Sequence, residues 1–366
     1  MRSFHDGAQD GLEPLEALDP SKIQSFSDLL IAMQKTAFGG RRLGEAFDIL
    51  KAMINDPDCF VVMTLSGAMT IAKMGMIMCT MIDRGMVQAV VSTGALIAHG
   101  LSETVGQTHY KYHPSMNDVD LFNKGYNRVY DTLEMELNLN HVEHVVGETL
   151  NRLDPDQLLS SELLTRELGK TLTNEYEGPG ILKSAFLKKV PVYIPAFTDS
   201  ELGLDLSIWA MGKHRHTTST QETGASDGQK VWNSLKQHHA TFNPFLDLNS
   251  YTEQLLGAKR LGIFTIGGGV PRNWAQQTPP YIEILNLRLG TEITPPRFHY
   301  GVRICPEPDY WGGLSGCTYQ EGISWGKFVP QEEGGRFAEV LSDATIVWPL
   351  LLMGLLDQDT PQADEK

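Results

Sequence analysis

The chain has 366 residues, 41% of them apolar, and a formal net charge of −15. That length suits one large α/β domain or two smaller units, each with a real core. The acidic balance argues against an electrostatic grip on nucleic acid, whose phosphates call for Lys and Arg, and it suits a cationic ligand.

Residues 1–20 are acidic, polar and contain Gly and Pro; they read as a flexible N-terminal segment with no apolar signal-peptide run. Helical spacing follows at Phe26, Leu29, Leu30 and Met33, then at Leu43, Ala46, Phe47, Leu50, Met53 and Ile54. The next stretch predicts a strand (59–64), a small-residue turn (Ser66-Gly67-Ala68), a helix (69–84), a strand (87–92) and a second turn (Ser92-Thr93-Gly94-Ala95), which together make a βαβ unit. The methionines of 69–81 read as close packing in a core helix rather than as a soft-metal site.

Residues 117–188 are mostly helical in pattern. A buried strand at 191–196 ends in Thr198-Asp199. Residues 212–230 are poor in apolar side chains and read as a surface insertion. His214 and His216 lie in it and His238 and His239 follow it; none has ligand spacing, so a solvated loop is expected rather than a metal site. Three further signals follow: "LGIFTIGGGVPRNW" as strand, glycine turn and helix; "FHYGVRI" as a strand; and "FAEVLSDATIVWPLLLMGLL" as a strand, Asp343 as N-cap, and a buried helix. Residues 359–366 read as a C-terminal tail.

The cysteines, at 59, 79, 305 and 317, have no CxxC spacing and no histidine at zinc-ligand spacing. Reduced thiols, a cytoplasmic location and no metal are the expectation. The apolar stretches near 60–82 and 344–356 are interrupted by polar residues or glycine and read as buried elements, not membrane spans.

The alternation of strands and helices predicts an α/β fold, a Rossmann-like parallel sheet with helices on both faces. Ligands in such sheets bind at the carboxyl ends of the strands. Four turns there are small and polar: 66–68, 92–95, 267–269 and 342–344. They predict a bound phosphate-bearing cofactor, because glycine lets backbone approach a pyrophosphate and helix N-termini favour its charge. The Gly267-Gly268-Gly269 run is not GxGxxG, so a tight turn and a phosphate loop both remain open. Asp343 can cap, contact a cofactor, or both. Lys327, in "EGISWGKF", sits among bulky neighbours; a snorkelling surface group and a functional amine are both open from its neighbours alone.

Several stretches occur together and in order: "LLIAMQKTAFGGRRLGEA", "MVQAVVSTGA", "GYNRVYD", "VPVYIPAFTDSELG", "FTIGGGV", "SGCTYQEGISWGK" and "SDATIVWPLL". In this the chain resembles the deoxyhypusine synthase family, and within it the prokaryotic deoxyhypusine synthase-like branch. The resemblance implies a single NAD-binding domain over 21–358 and a homotetramer with active sites at dimer interfaces. It implies a transferase that moves an aminobutyl group from spermidine, through an imine on the residue matching Lys327, to an acceptor amine. By motif, Glu321 would pair with a substrate ammonium, Trp325 would pack on the polyamine, and Ser315 would lie near the reacting groups. Ser66, Gly67, Ser92, Thr93, Gly94, Asp199, Gly267, Gly268, Asp343 and Ala344 fall on family NAD contacts.

The chain also departs from the family. Asn273 stands where the family has a histidine, and it cannot act as a base. Leu314 and Trp311 stand where the family has aspartates, and His99 where a glutamate contacts the cofactor. The acidic residue of one loop is displaced, giving Leu204 then Asp205; Asp205 and Asp309 would restore some negative charge to the donor pocket. A small amine such as putrescine is therefore the expected acceptor, giving homospermidine. The competing readings are a protein lysine as acceptor, a noncatalytic NAD- or polyamine-binding homologue, and a sirtuin-like NAD-consuming deacylase. The last is opposed by the lack of a zinc-type cysteine quartet.

Overall fold

The computed structural model describes residues 2–154, 157–218, 226–237 and 240–357. Nine strands occur among them: β1 (Cys59–Leu65), β2 (Ala89–Ser92), β3 (Tyr110–Lys111), β4 (Tyr126–Val129), β5 (Thr132–Met135), β6 (Val192–Tyr193), β7 (Arg260–Ile266), β8 (Phe298–Ile304) and β9 (Arg336–Val340). Six of them make one sheet in the order β6-β2-β1-β7-β8-β9, parallel throughout. Counted within that sheet, this is the 3-2-1-4-5-6 order of a doubly wound nucleotide-binding fold, with its reversal between β1 and β7. The predicted α/β architecture is the observed one.

The strands are nearly continuous apolar runs because both faces are covered. On one face, Val61, Met63, Leu65, Val90, Phe264 and Ile266 join a core with the helices Phe38–Asn55, Gly75–Asp83, Gly94–Thr104 and Ala344–Leu356. On the other, Val62, Ala89, Val91, Leu261 and Ile263 pack with Tyr251, Ala275, Tyr319 and Phe328. At the carboxyl edge Ser92, Leu65, Ile266, Ile304 and Val340 form one row of register partners. All four small polar turns therefore leave the sheet from the same edge.

Some local expectations change. The helix expected over 69–84 starts only at Gly75, since Lys73 takes a left-handed φ of 65° that ends the preceding turn. The largely helical 117–188 region also contains part of a small antiparallel sheet, β3-β5-β4. Its β4–β5 hairpin turns at Tyr130-Asp131 with φ of 53° on Tyr130, so it lacks the Asn-Gly or Asp-Gly signal by which such turns are read. The expected 212–230 insertion is helical at both ends, where Glu201–Thr218 finishes and Asp227–Gln237 begins. Residues 219–225, His238, His239 and the 359–366 tail lie outside the described residues, as do the side chains of His214 and His216. Residues 2–20 are exposed, but Glu16 is tied to Lys35 by a backbone hydrogen bond of 3.0 Å and an ion pair of 2.9 Å. No helix among the described residues is long and apolar enough to cross a membrane.

A buried carboxylate joins distant parts of the first half to the second. Asp247, 4% exposed, accepts from Ser161 N (3.0 Å), Ser161 Oγ (2.7 Å) and Glu162 N (3.1 Å), and so satisfies the first turn of the helix Ser161–Glu175. Ser161 Oγ in turn accepts from Ile194 N, just past β6. Asp247→Ala leaves these donors without a partner and is expected to lower stability by about 3 kcal/mol. Denaturant unfolding checks this; a loss below about 1 kcal/mol would mean that the bonds contribute little in solution.

Candidate functional site

The reversal between β1 and β7 brings two turns into contact. Ser66 Oγ accepts a 2.9 Å hydrogen bond from Gly268 N, across 202 residues of sequence. Gly67 and Gly267 take φ of 77° and 79°, which glycine adopts without strain. Space is equally restrictive: a Cβ on Gly267 would collide with Ser66 Oγ, and one on Gly268 would lie 2.5 Å from Ser315 Cα. Ser66, Gly67, Gly267, Gly268 and Ser315 are thus one cluster.

A second cluster lies one strand away. Thr93 caps the helix Gly94–Thr104, its hydroxyl accepting from Leu96 N at 3.3 Å. A Cβ on Gly94 would run into Ser200 Oγ, which places the Thr93-Gly94 turn beside Asp199-Ser200. Ser92 is fully buried at the end of β2, and Asp199 is exposed. On the other side of the crevice Asp343 accepts from Thr345 N at 2.8 Å, so its capping role is present, and Ala344 is buried behind it. Backbone bare of Cβ atoms, together with helix starts on one sheet edge, is the chemistry that a dinucleotide's phosphates require; these residues fit NAD.

Lys327 comes from the other direction. Its carbonyl accepts from Phe298 N (3.0 Å), so its backbone lies at the amino end of β8, not at the carboxyl edge. Its ammonium reaches Asn273 Oδ1 at 3.4 Å and lies 5.9 Å from the centroid of the Trp325 ring. The two turns of Gly269–Ala275 join this point to the glycine turn; Gly269 and Asn273 are about 6 Å apart along that axis. The lysine lines a cavity of about 430 Å³ with Arg272, Asn273, Leu314, Cys317, Glu321 and Trp325.

The short helix Tyr319–Ser324 presents Glu321 to that cavity. It is capped by Thr318, whose hydroxyl accepts from Glu321 N at 3.0 Å, and Glu321 Oε1 accepts from Cys317 Sγ at 3.3 Å. Trp325, 63% exposed, forms an outer wall. Burial, and then the nearby Arg272 charge, hold the Lys327 amine below the ordinary lysine value, against the opposing pull of Cys317 and Glu321.

Under the cavity lies a network that reading the sequence did not single out. Arg272, 3% exposed, donates to Cys317 O (2.7 Å) and faces the Tyr319 ring (5.2 Å). Arg303, 4% exposed, donates to Ser315 O and to Glu339 Oε2 (3.0 Å), and Glu339 Oε1 accepts from Tyr319 N (2.7 Å). Arg303, with Glu339, therefore holds both ends of the 315–319 loop, and Arg272 holds its middle. The available signal was a charge inside an otherwise apolar run, in "GGGVPRNW" and in "FHYGVRI".

Asp205 is not brought to this cavity within one chain. It lies on the helix Glu201–Thr218, which follows β6 at the opposite edge, four strand spacings or about 19 Å from β8. Burial, then the carboxylates of Glu143 and Glu201, push Asp205 up to about 6. Asp309 and Trp311 are exposed and absent from the cavity lining, whereas Leu314 lines it. His99 faces Glu134.

The deoxyhypusine synthase family model matches residues 28–223 and 222–355. The chain is 32% identical over 337 residues to the "Probable deoxyhypusine synthase 2" of Methanosarcina acetivorans, covering 91% of this chain and 87% of that one. It is 30% identical to the protein of the same name from Archaeoglobus fulgidus, over 88% of this chain and 96% of that one. A crystal structure of a "putative deoxyhypusine synthase" from Entamoeba histolytica shares the fold, with a TM-score of 0.56 at 12% identity over 94% of this chain and 97% of the other. With the family model spanning nearly all of a sheet whose glycine turn and lysine cavity share one two-turn helix, the chain belongs to the deoxyhypusine synthase family.

Proposed function

We propose that the protein is an NAD-dependent transferase that moves an aminobutyl group from spermidine or a related polyamine to an acceptor amine. The observation that carries this reading is the half-buried Lys327 amine, held below its ordinary basicity in a cavity with Glu321 and Trp325, one short helix from a glycine turn. NAD, when bound, supplies hydride acceptance from the amine carbon and later its return. Glu321 attracts a substrate ammonium, and Trp325 offers a ring face to the cationic chain. Lys327, as the neutral amine, attacks the oxidised carbon; 1,3-diaminopropane leaves, and the aminobutyl group is held on Nζ as an imine until the acceptor amine displaces it. Asn273 accepts from Nζ and so orients it; it does not take the proton. Asp205 lies far from Lys327 within one chain, which supports the reading that sites are completed between chains of a homotetramer.

The acceptor in this proposal is a small amine such as putrescine, giving homospermidine, because Asn273 and Leu314 replace the family's histidine and an aspartate. The names of the relatives favour a protein lysine as the second reading. Mass spectrometry of products from spermidine, NAD and each acceptor decides between them. Release of 1,3-diaminopropane with neither acceptor modified would sink both, and NAD binding without turnover would leave a noncatalytic homologue.

Borohydride added during turnover is expected to trap a butylamine adduct on Lys327 that forms only with NAD and polyamine together. Lys327→Arg should abolish transfer and keep NAD affinity, since a guanidinium stays protonated. Wild-type transfer by that variant would refute the lysine imine.

The neutral amine is the reactive form, so transfer should rise with pH along a limb centred below the ordinary lysine value. Arg272→Met removes a nearby positive charge and should move that limb to higher pH, while Arg272→Lys should leave it in place. An unmoved limb in Arg272→Met would show that the arginine charge does not tune Lys327.

Gly268→Ala should weaken NAD binding by at least about tenfold in calorimetry, roughly 1.4 kcal/mol, because its Cβ fills the approach beside Ser315. Unchanged affinity would place the cofactor elsewhere.

A further inference from the structure

Glu134, the third residue of β5, is 1% exposed, a rare position for a carboxylate. Two histidines from separate elements meet it: His99 from the helix Gly94–Thr104, and His109 from the segment entering β3, with side chains 15% and 0% exposed. His109 Nε2 is 3.3 Å from Glu134 Oε1, and His99 Nδ1 lies against Glu134 Oε2. Both contacts are ion-pair contacts, yet the ring N–H directions are poorly aligned on the Glu134 oxygens, and His99 Nδ1, His109 Nε2 and Glu134 Oε2 are all sealed from solvent.

Close approach without hydrogen-bond alignment is the geometry of donors aimed at a common point rather than at one another. The three donor atoms lie within 4.8 Å of each other. Ligands at about 2.0–2.1 Å from one tetrahedral ion stand about 3.3–3.5 Å apart; the His109–Glu134 pair has that spacing, whereas His99 Nδ1 lies closer to Glu134 and would have to withdraw as the ion enters. We propose that His99 Nδ1, His109 Nε2 and the Glu134 carboxylate bind a divalent transition metal of the zinc class, with water at the fourth position. Two neutral imidazoles and a carboxylate are a donor set that zinc accepts.

The surroundings fit a ligating carboxylate. Ser102 Oγ donates to Glu134 Oε1 at 2.8 Å and fixes its plane. Lys73 Nζ lies 2.8 Å from His109 Nδ1 and also meets Glu103. Ligation through Nε2 puts the ring proton on Nδ1, so Lys73 then turns wholly to Glu103; its side chain is 44% exposed and has room to do so. The ion would staple the β3-β5-β4 sheet to the helix that begins at Gly94. Residues 99, 109 and 134 share no local ligand motif, and the proposal departs from the metal-free expectation of the sequence.

The test uses untagged full-length protein, stripped with chelator and titrated with Co²⁺ and then Zn²⁺. The expected result is about one metal per chain by elemental analysis, a visible cobalt ligand-field band displaced by zinc, and a higher melting temperature with metal. Glu134→Gln and His109→Ala should lose the band; the double variant His214→Ala/His216→Ala should keep it. Wild-type protein that retains no stoichiometric metal overturns the proposal without recourse to any variant. So does a band that persists in Glu134→Gln or vanishes in the double variant.

Discussion

One hydrogen bond and the crowding around it govern the candidate site. Ser66 Oγ and Gly268 N lie 2.9 Å apart where the sheet reverses direction, and no Cβ fits on Gly267 or Gly268. This approach keeps the ends of β1 and β7 together and leaves backbone facing the crevice. It sets where Gly269–Ala275 begins, and that helix carries Arg272 and Asn273 to Lys327. Ser315, packed against Gly268, is anchored through its carbonyl by Arg303, which ties the loop bearing Cys317 and Thr318 to the same point. A shift in the glycine turn would therefore be felt at the lysine.

Much of this was legible in the sequence for physical reasons. Strands covered on both faces must be apolar along their length, so β1, β7 and β8 announced themselves. Asp343 before a helix of apolar residues predicted its own bond to Thr345 N. The motif stretches placed Lys327, Glu321 and Trp325 together, and they line one cavity.

What was missed rests on contacts that no local pattern encodes. Arg272 and Arg303 are single charges in apolar runs, and their partners, Cys317 O, Ser315 O and Glu339, come from later segments. The β4–β5 hairpin was hidden because Tyr130, not glycine, takes the positive φ. Glu134 looks like an ordinary surface residue in "DTLEM" until His99 and His109 are folded onto it. The opposite error also occurred: Lys73, inside the stretch predicted as one helix, ends the turn before Gly75 by its own backbone angle.

The reversal between β1 and β7 has a consequence for how the chain reaches this state. Thr64 and Thr265 share a 2.9 Å hydrogen bond across 201 residues, with β2, β6 and their helices lying between. Closing so long a loop is entropically costly and slow compared with forming neighbouring helices. During synthesis β1 emerges early and waits for β7, and Lys327 follows later still. The crevice and the lysine cavity are therefore among the last features to assemble, and until then the flank of β1 that will receive β7 is an unpaired apolar edge.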